Sequence, residues 1–192
     1  MSQPCYPAEL VEFIRRFQLQ LPQARPLSRH SRPAAVLIPI ICRQEPTLLL
    51  TRRADILRHH AGQVAFPGGK SDATDGSAIA TALREAQEEV AIPPQAVTVL
   101  GQMAPFDSTS GYRVTPVVGL VPPDIHFHAN IGEVAELFEI PLQEALTLTR
   151  YYPLDIKRGD RRQRVYLSWY QRQFIWGLTA AIIRRLAQQV SR

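Results

Sequence analysis

Several absences narrow the class of this chain. No apolar run in its 192 residues reaches the ~18 needed for a membrane-crossing helix, so no membrane role is expected. The first residues, Met-Ser-Gln-Pro-Cys-Tyr-Pro, hold no basic stretch followed by an apolar core, and no secretory signal is expected. Only two cysteines are present, Cys5 and Cys42, without CxxC or paired spacing. A reduced, cytoplasmic setting fits that usage, with one disulfide left open. No internal repeat or low-complexity tract is present, which excludes repeat architectures. Acidic residues are the minority charge, 17 against 22 basic, for a net +5 and a pI near 9.6. That balance favours anionic partners such as nucleotides, nucleic acid or a phosphorylated cofactor, without choosing among them.

What is present suits one globular domain with appended ends. Hydrophobic residues make up 45% and charged residues 20%, enough to bury a core. The boundaries expected are residues 1–33 for an N-terminal helix and linker, and 34–192 for the main domain with its last helix. The organising stretch is Phe66-Pro-Gly-Gly-Lys-Ser-Asp-Ala-Thr-Asp-Gly, running into Ala82-Leu-Arg-Glu-Ala-Gln-Glu-Glu-Val. Pro67, Gly68 and Gly69 predict a tight turn. Ile79, Leu83, Ala86 and Val90 then keep the spacing of one apolar helical face, and Pro93 predicts the helix end.

At about 100° per residue, Glu85, Glu88 and Glu89 fall together opposite that stripe. Their mutual repulsion, roughly 0.2–0.5 kcal/mol per exposed pair, changes sign if a divalent cation binds. Carboxylate oxygens suit Mg²⁺ or Mn²⁺, which commonly also bind substrate phosphates. Arg84, one turn before Glu88, is placed to hold it. The bland alternative is a solvated acidic face on an ordinary amphipathic helix.

Gly69, Arg84-Glu85 and Glu88-Glu89 together resemble the Nudix box: Gly, a Glu further on, then Arg-Glu-apolar-x-Glu-Glu-x-Gly-apolar. Ala86 fills the apolar slot and Ile92 the last one. There are three departures: Asp75 replaces the first Glu, one extra residue separates it from Arg84, and Ala91 replaces the final Gly. Leu49-Leu-Thr-Arg-Arg, with Leu57-Arg-His-His-Ala-Gly-Gln-Val-Ala-Phe-Pro-Gly-Gly, further resembles the segment that precedes the box in coenzyme A pyrophosphatases. Weaker likeness continues through Gly111-Tyr-Arg-Val-Thr-Pro-Val-Val and Phe174-Ile-Trp-Gly-Leu-Thr-Ala.

The resemblance implies an α/β fold, the Nudix α/β/α sandwich with a mixed sheet. It also implies metal-dependent hydrolysis of a diphosphate in a small CoA-like substrate, yielding 3′,5′-ADP and 4′-phosphopantetheine. Glu85 and Glu89 would be the principal metal ligands. Glu88 would be a further ligand or the base, Glu133 an alternative base, and Arg84 the orienting cation. Gly68 and Gly69 would approach the diphosphate, and Arg52, Arg53, Arg58 and His59 would meet substrate phosphates. Rival readings are another Nudix substrate (a nucleotide sugar, a damaged nucleoside triphosphate or a capped RNA) and a non-catalytic nucleotide-binding module. No recognised RNA-binding module or basic tail is present, so nucleic acid is not the expected partner.

Elsewhere the pattern is coarser. Ala8 to Leu19 reads as an amphipathic helix, and Leu21 to Pro33 as a linker whose Arg25, Arg29, His30 and Arg32 are solvated or near an anionic substrate. Ala34 to Ile41 and Thr47 to Arg52 predict a hairpin of strands, with Pro39 pointing to a bulge or an edge. Further strands are expected over Ala96 to Met103, Tyr112 to Val121, and Glu133 to Ile140, with a helix from Pro141 to about Leu148. A basic hairpin is expected around Gly159 to Arg164. Trp169, Tyr170, Phe174 and Trp176 are read as core, or else as a base-gripping cluster. Leu178 to Val190 is the last helix.

Overall fold

The apolar run Ala34–Ile41 lies inside a ten-residue strand, β1 (Arg32–Ile41), buried at every position from Leu37 onward. Burial on both faces is what a strand with helices on either side requires. The computed structural model describes residues 6–19, 32–57, 60–158 and 161–191. The linker cations Arg25, Arg29 and His30, and the cluster residues Arg58 and His59, lie outside the described residues.

β7 (Tyr112–Val121) runs parallel to β1 along its whole length, from Arg32 beside Tyr112 to Ile41 beside Val121. The other edge of β1 is shared by two partners. β2 (Thr47–Arg53) returns as a hairpin through Ile40↔Leu48 and Ile41↔Thr47, while β4 (Gly68–Lys70) pairs with Ala34 to Val36. β8 (Val134–Pro141) and the short β3 (Val64–Ala65) both pair with β2, whereas β5 (Thr98–Gln102) and β6 (Phe106–Asp107) pair with β7. The result is a mixed sheet.

Two proline and glycine expectations need correction. Pro39 marks neither a bulge nor an edge, because β1 is central. The Leu37 N–H leaves the β1 ladder to reach Pro67 O at 2.9 Å. Alternation then aims position 39 into the same gap between β2 and β4, where a missing donor leaves no ladder bond unmade. Gly68 and Gly69 form strand β4, not a tight turn.

Helix α2 (Ala78–Val90) covers one face of the sheet, with Ala82, Ala86 and Val90 packed against Ala35, Leu37 and Val117. Helices α1 (Ala8–Gln18) and α4 (Gly177–Val190) cover the other, where Leu10, Phe13, Ile183 and Leu186 meet Ile38, Leu50 and Val118. This is an α/β/α arrangement. The helix expected from Pro141 is only the single turn α3 (Leu142–Ala145), with Pro141 as its cap. Helix α2 ends at Ala91, which takes a left-handed conformation (φ 59°), two residues ahead of Pro93.

A second sheet stands apart. β9 (Tyr152–Arg158) and β10 (Arg161–Tyr170) form the expected hairpin, and β11 (Gln173–Trp176) adds a third antiparallel strand. Its aromatics are not all core: Trp169, Phe174 and Trp176 are exposed.

Candidate active site

Ser77 starts α2 by accepting a hydrogen bond from the Ala80 N–H at 3.1 Å, a standard N-cap. The alanines at 82 and 86 let the helix settle close against β1 and β7, and this sets its rotation. As a consequence, the three glutamates do not share one solvated face. Glu88 is exposed (57%), but the Glu85 side chain is only 15% exposed and Glu89, as a residue, 4%. The angular expectation placed Glu89 away from the apolar stripe; close packing of the helix instead carries it inside.

Room for these carboxylates comes from β4. A Cβ on Gly69 would lie 2.5 Å from the Glu85 carboxylate carbon, and one on Gly68 2.4 Å from the Ala35 carbonyl oxygen. At 68 the clash is with backbone and requires glycine, while at 69 a side chain would displace the Glu85 carboxylate. The Gly68 N–H donates to Glu89 Oε2 at 3.1 Å, a direct link between strand and helix.

The electrostatics follow from that enclosure. Burial pushes the Glu89 carboxyl up to about 7, against the pull of the Gly68 N–H and of Arg53, and the charges of Glu133 and Glu85 add to the rise. Glu85 is raised too, by burial first, with Glu88 and Glu133 contributing and Arg84 opposing. A buried and a half-buried carboxylate with raised pKa values, close to two more, form a site that favours a cation. The oxygen-only donor set of Glu85, Glu88 and Glu89 suits a hard divalent ion. Among the described residues no three such groups converge as a finished cage. Arg84 lies among them, with Nη1 3.0 Å from Glu85 and 3.2 Å from Glu88.

Asp75 gains a clear position. Its carboxylate receives both Nε and Nη2 of Arg84, at 3.0 and 2.9 Å, and the Thr81 hydroxyl at 2.9 Å. Arg84, with the Asp72 backbone, holds the Asp75 carboxyl well below the ordinary carboxylate range. Arg84 Nη2 also donates to Lys70 O at 3.1 Å, so one guanidinium ties the loop, β4 and the helix together.

The two arginines ending β2 part company. Arg53 Nη1 lies 3.9 Å from Glu89, and its buried Nε has no hydrogen-bond partner. Arg52 instead pairs with Asp55 at 3.1 Å and Glu136 at 3.5 Å. The period of two along a strand carries this information, since adjacent residues point to opposite faces. Glu133 is exposed on the turn before β8, held by its backbone: its N–H donates to Asn130 O, and its carbonyl accepts from Ala54. Arg32, assigned from sequence to the linker, opens β1 and stacks 4.2 Å over the Tyr112 ring. An open groove of about 650 Å³ lies beyond the C-terminal end of α2, lined by Arg43, Leu49, Phe127 and Leu137 among others, and none of the carboxylates named above reaches it.

Comparison with known proteins agrees with this geometry. The family model described as NUDIX domain matches residues 31–170. A Yersinia enterocolitica protein named "Uncharacterized Nudix hydrolase NudL" is 72% identical over 182 residues, covering 95% of this chain and 93% of that protein. A Yersinia pestis protein of the same name is 68% identical over 189 residues, covering 95% of each. Among solved structures, a Deinococcus radiodurans protein aligns with a TM-score of 0.53 at 17% identity, over 84% of this chain and 87% of that one. A MutT/nudix family protein of Enterococcus faecalis aligns with a TM-score of 0.50, also at 17% identity, over 94% and 68%. At that identity the structural likeness concerns the fold.

Proposed function

The chain belongs to the NUDIX domain family, hydrolases of nucleoside diphosphate derivatives, and from that premise we propose that its substrate is coenzyme A or a derivative. The products would be 3′,5′-ADP and 4′-phosphopantetheine. The observation that carries the hydrolase reading is the pair of carboxylates, half-buried Glu85 and buried Glu89, set against the glycine backbone of β4. The narrower choice of coenzyme A rests on the resemblance of residues 49–53 and 57–69 to that branch, and the net charge of +5 agrees with a substrate rich in phosphate.

Family membership implies a divalent cation such as Mg²⁺ or Mn²⁺, and the oxygen donors here fit it. When bound, it would neutralise the diphosphate and make water easier to deprotonate. Glu85 and Glu89 would be the principal ligands in this reading, with Glu88 beside them. Arg84, fixed by Asp75, would hold Glu85 and Glu88 in position through its Nη1. Arg53 faces the cleft with donors to spare and would grip a substrate phosphate. The attacking water must lose a proton as its oxygen joins phosphorus and the bridging P–O bond breaks. In this reading Glu88 or Glu133 takes it, and the base is the one whose Gln variant abolishes the acidic limb of the kcat–pH profile.

The decisive experiment offers coenzyme A, ADP-ribose, NADH and nucleoside triphosphates to the protein with Mg²⁺ or Mn²⁺ and identifies the products. Cleavage of coenzyme A at its diphosphate, abolished by excess chelator, is the expected result. Turnover in chelator would remove the metal, and cleavage of a nucleotide sugar with coenzyme A untouched would remove the substrate assignment.

A further inference from the structure

The three-stranded sheet turns an apolar face to solvent. Six of the eleven large hydrophobic side chains exposed among the described residues belong to it: Tyr152, Leu154, Ile156, Trp169, Phe174 and Trp176. The strand register places all six on one side. Trp169 lies opposite Phe174, Leu167 sits between Trp176 and Tyr152, Val165 lies opposite Leu154, and Ile156 opposite Gln163. Residues directly across a ladder share a face, and so do positions two apart. The rings are already ordered against each other, Trp169 on Phe174 at 4.8 Å and Phe174 on Trp176 at 6.2 Å between centroids.

The opposite side of the same strands is built normally. Ser168 and Ile175 are buried there, and Tyr166 lies under Arg184 of α4 at 4.4 Å. Further out, Asp155 and Arg164 pair at 2.7 Å. The Asp155–Arg164 pair therefore lies on the opposite side from the apolar rows, and the row beyond Gln163–Ile156 on the apolar side pairs Arg161 with Arg158 at the hairpin's tip.

We propose that this face is the contact between two copies of the chain, joined face to face about a twofold axis. Size is the first reason. At about 150–250 Å² for a large side chain, the exposed fractions of these six leave roughly 400–700 Å² of apolar surface. Two such faces bring together roughly 800–1,400 Å² before any flanking residue is added, against the ~1,200–2,000 Å² of a stable interface. Charge is the second. The four rows from Trp169–Phe174 to Gln163–Ile156 contain no charged residue, and Arg161 opposite Arg158 comes only in the row beyond them, so a copy seated on these four rows meets no like charge there, whereas the +5 chain would repel itself across most other surfaces. Guarded edges are the third. β9 is the outer strand and carries Pro153 and Lys157, which discourage growth by strand pairing and leave the face as the route.

Sedimentation of the full chain across micromolar concentrations should show a reversible dimer of twice 21.6 kDa. Tryptophan emission should shift to the blue as it forms. Trp169→Asp and, at the other end of the face, Leu154→Asp should each weaken dimerisation by roughly 30-fold or more, as loss of an interface anchor does. Arg164→Ala, on the charged side, should leave it unchanged. Circular dichroism confirms that each variant is folded, which is expected because both apolar positions are already exposed. A chain that stays monomeric at high concentration overturns the proposal. So does a dimer indifferent to both aspartates, or a monomer whose tryptophans are quenched by single-stranded oligonucleotide, which would make the aromatics a stacking platform for bases.

Discussion

The cleft beside α2 and the outer face of the β9–β10–β11 sheet depart from the usual partition of side chains in opposite directions. In the cleft, carboxylates are withdrawn from water, and Glu89 is 4% exposed with its pKa raised by burial. On the sheet, Trp169 and Tyr152 are 52% and 62% exposed although each is largely apolar. Either arrangement costs free energy in the isolated chain, the first through desolvation and the second through unburied apolar area. The two costs point to different partners. Carboxylates drawn together and partly out of water are relieved by a cation and the groups that cation binds, while an apolar face is relieved by another apolar face. The difference also sets what mutation should reveal: chemistry in the cleft, association on the sheet.

The largest effect that would break this contrast is in the cleft. Glu89→Gln keeps shape and removes charge, so kcat should fall on the order of 10²–10³-fold. Thermal unfolding should show the protein still folded, since an uncharged side chain is easier to bury. A variant with full activity, or one that fails to fold, would make Glu89 a structural residue and dissolve the comparison.

A smaller effect sharpens the cleft's boundary. Arg53 faces Glu89 and Arg52 faces Glu136, so Arg53→Ala should lower kcat/KM by roughly 10–100-fold, the worth of one charge-assisted bond. Arg52→Ala should change it little. If Arg53 meets the 3′-phosphate, the loss will be greater on coenzyme A than on dephospho-coenzyme A. Equal losses on both substrates would assign Arg53 to the diphosphate itself, and equal losses in both variants would mean that the faces of β2 do not separate the two.

The smallest effect concerns strain next to the cleft. Ala91 is left-handed, where a Cβ costs roughly 1–2 kcal/mol. Ala91→Gly should therefore raise stability by about 1 kcal/mol, or about 2–4 °C in Tm for a chain of this size. An unchanged or lower Tm would show that the helix end is not strained.

Much of this site was legible in the chain. The Arg-Glu-x-x-Glu-Glu core, its helix and the glycines before it follow from local spacing, and local spacing survives folding. The hairpins β1–β2 and β9–β10 were readable for the same reason. The burial of Glu89 was not, because a helical wheel gives angle and says nothing of how deeply a helix rests on its sheet. Asp75 was unreadable too: its contact with Arg84 depends on how the loop from β4 folds back over α2. The aromatics near the C-terminus stay open in the sequence, as core or as a base-gripping cluster, because residue type does not say which side of a strand the domain occupies.

The sequence by itself determined the family, the carboxylate set and the mixed α/β character, since these rest on residue identity and on periods of 2 and 3.6. Only the tertiary structure decided which carboxylates are withdrawn from water, which arginine faces them and which sheet face is left bare. Those outcomes depend on distances between segments far apart in the chain, such as Gly68 to Glu89 and Arg53 to Glu89, and on the depth to which packing brings them.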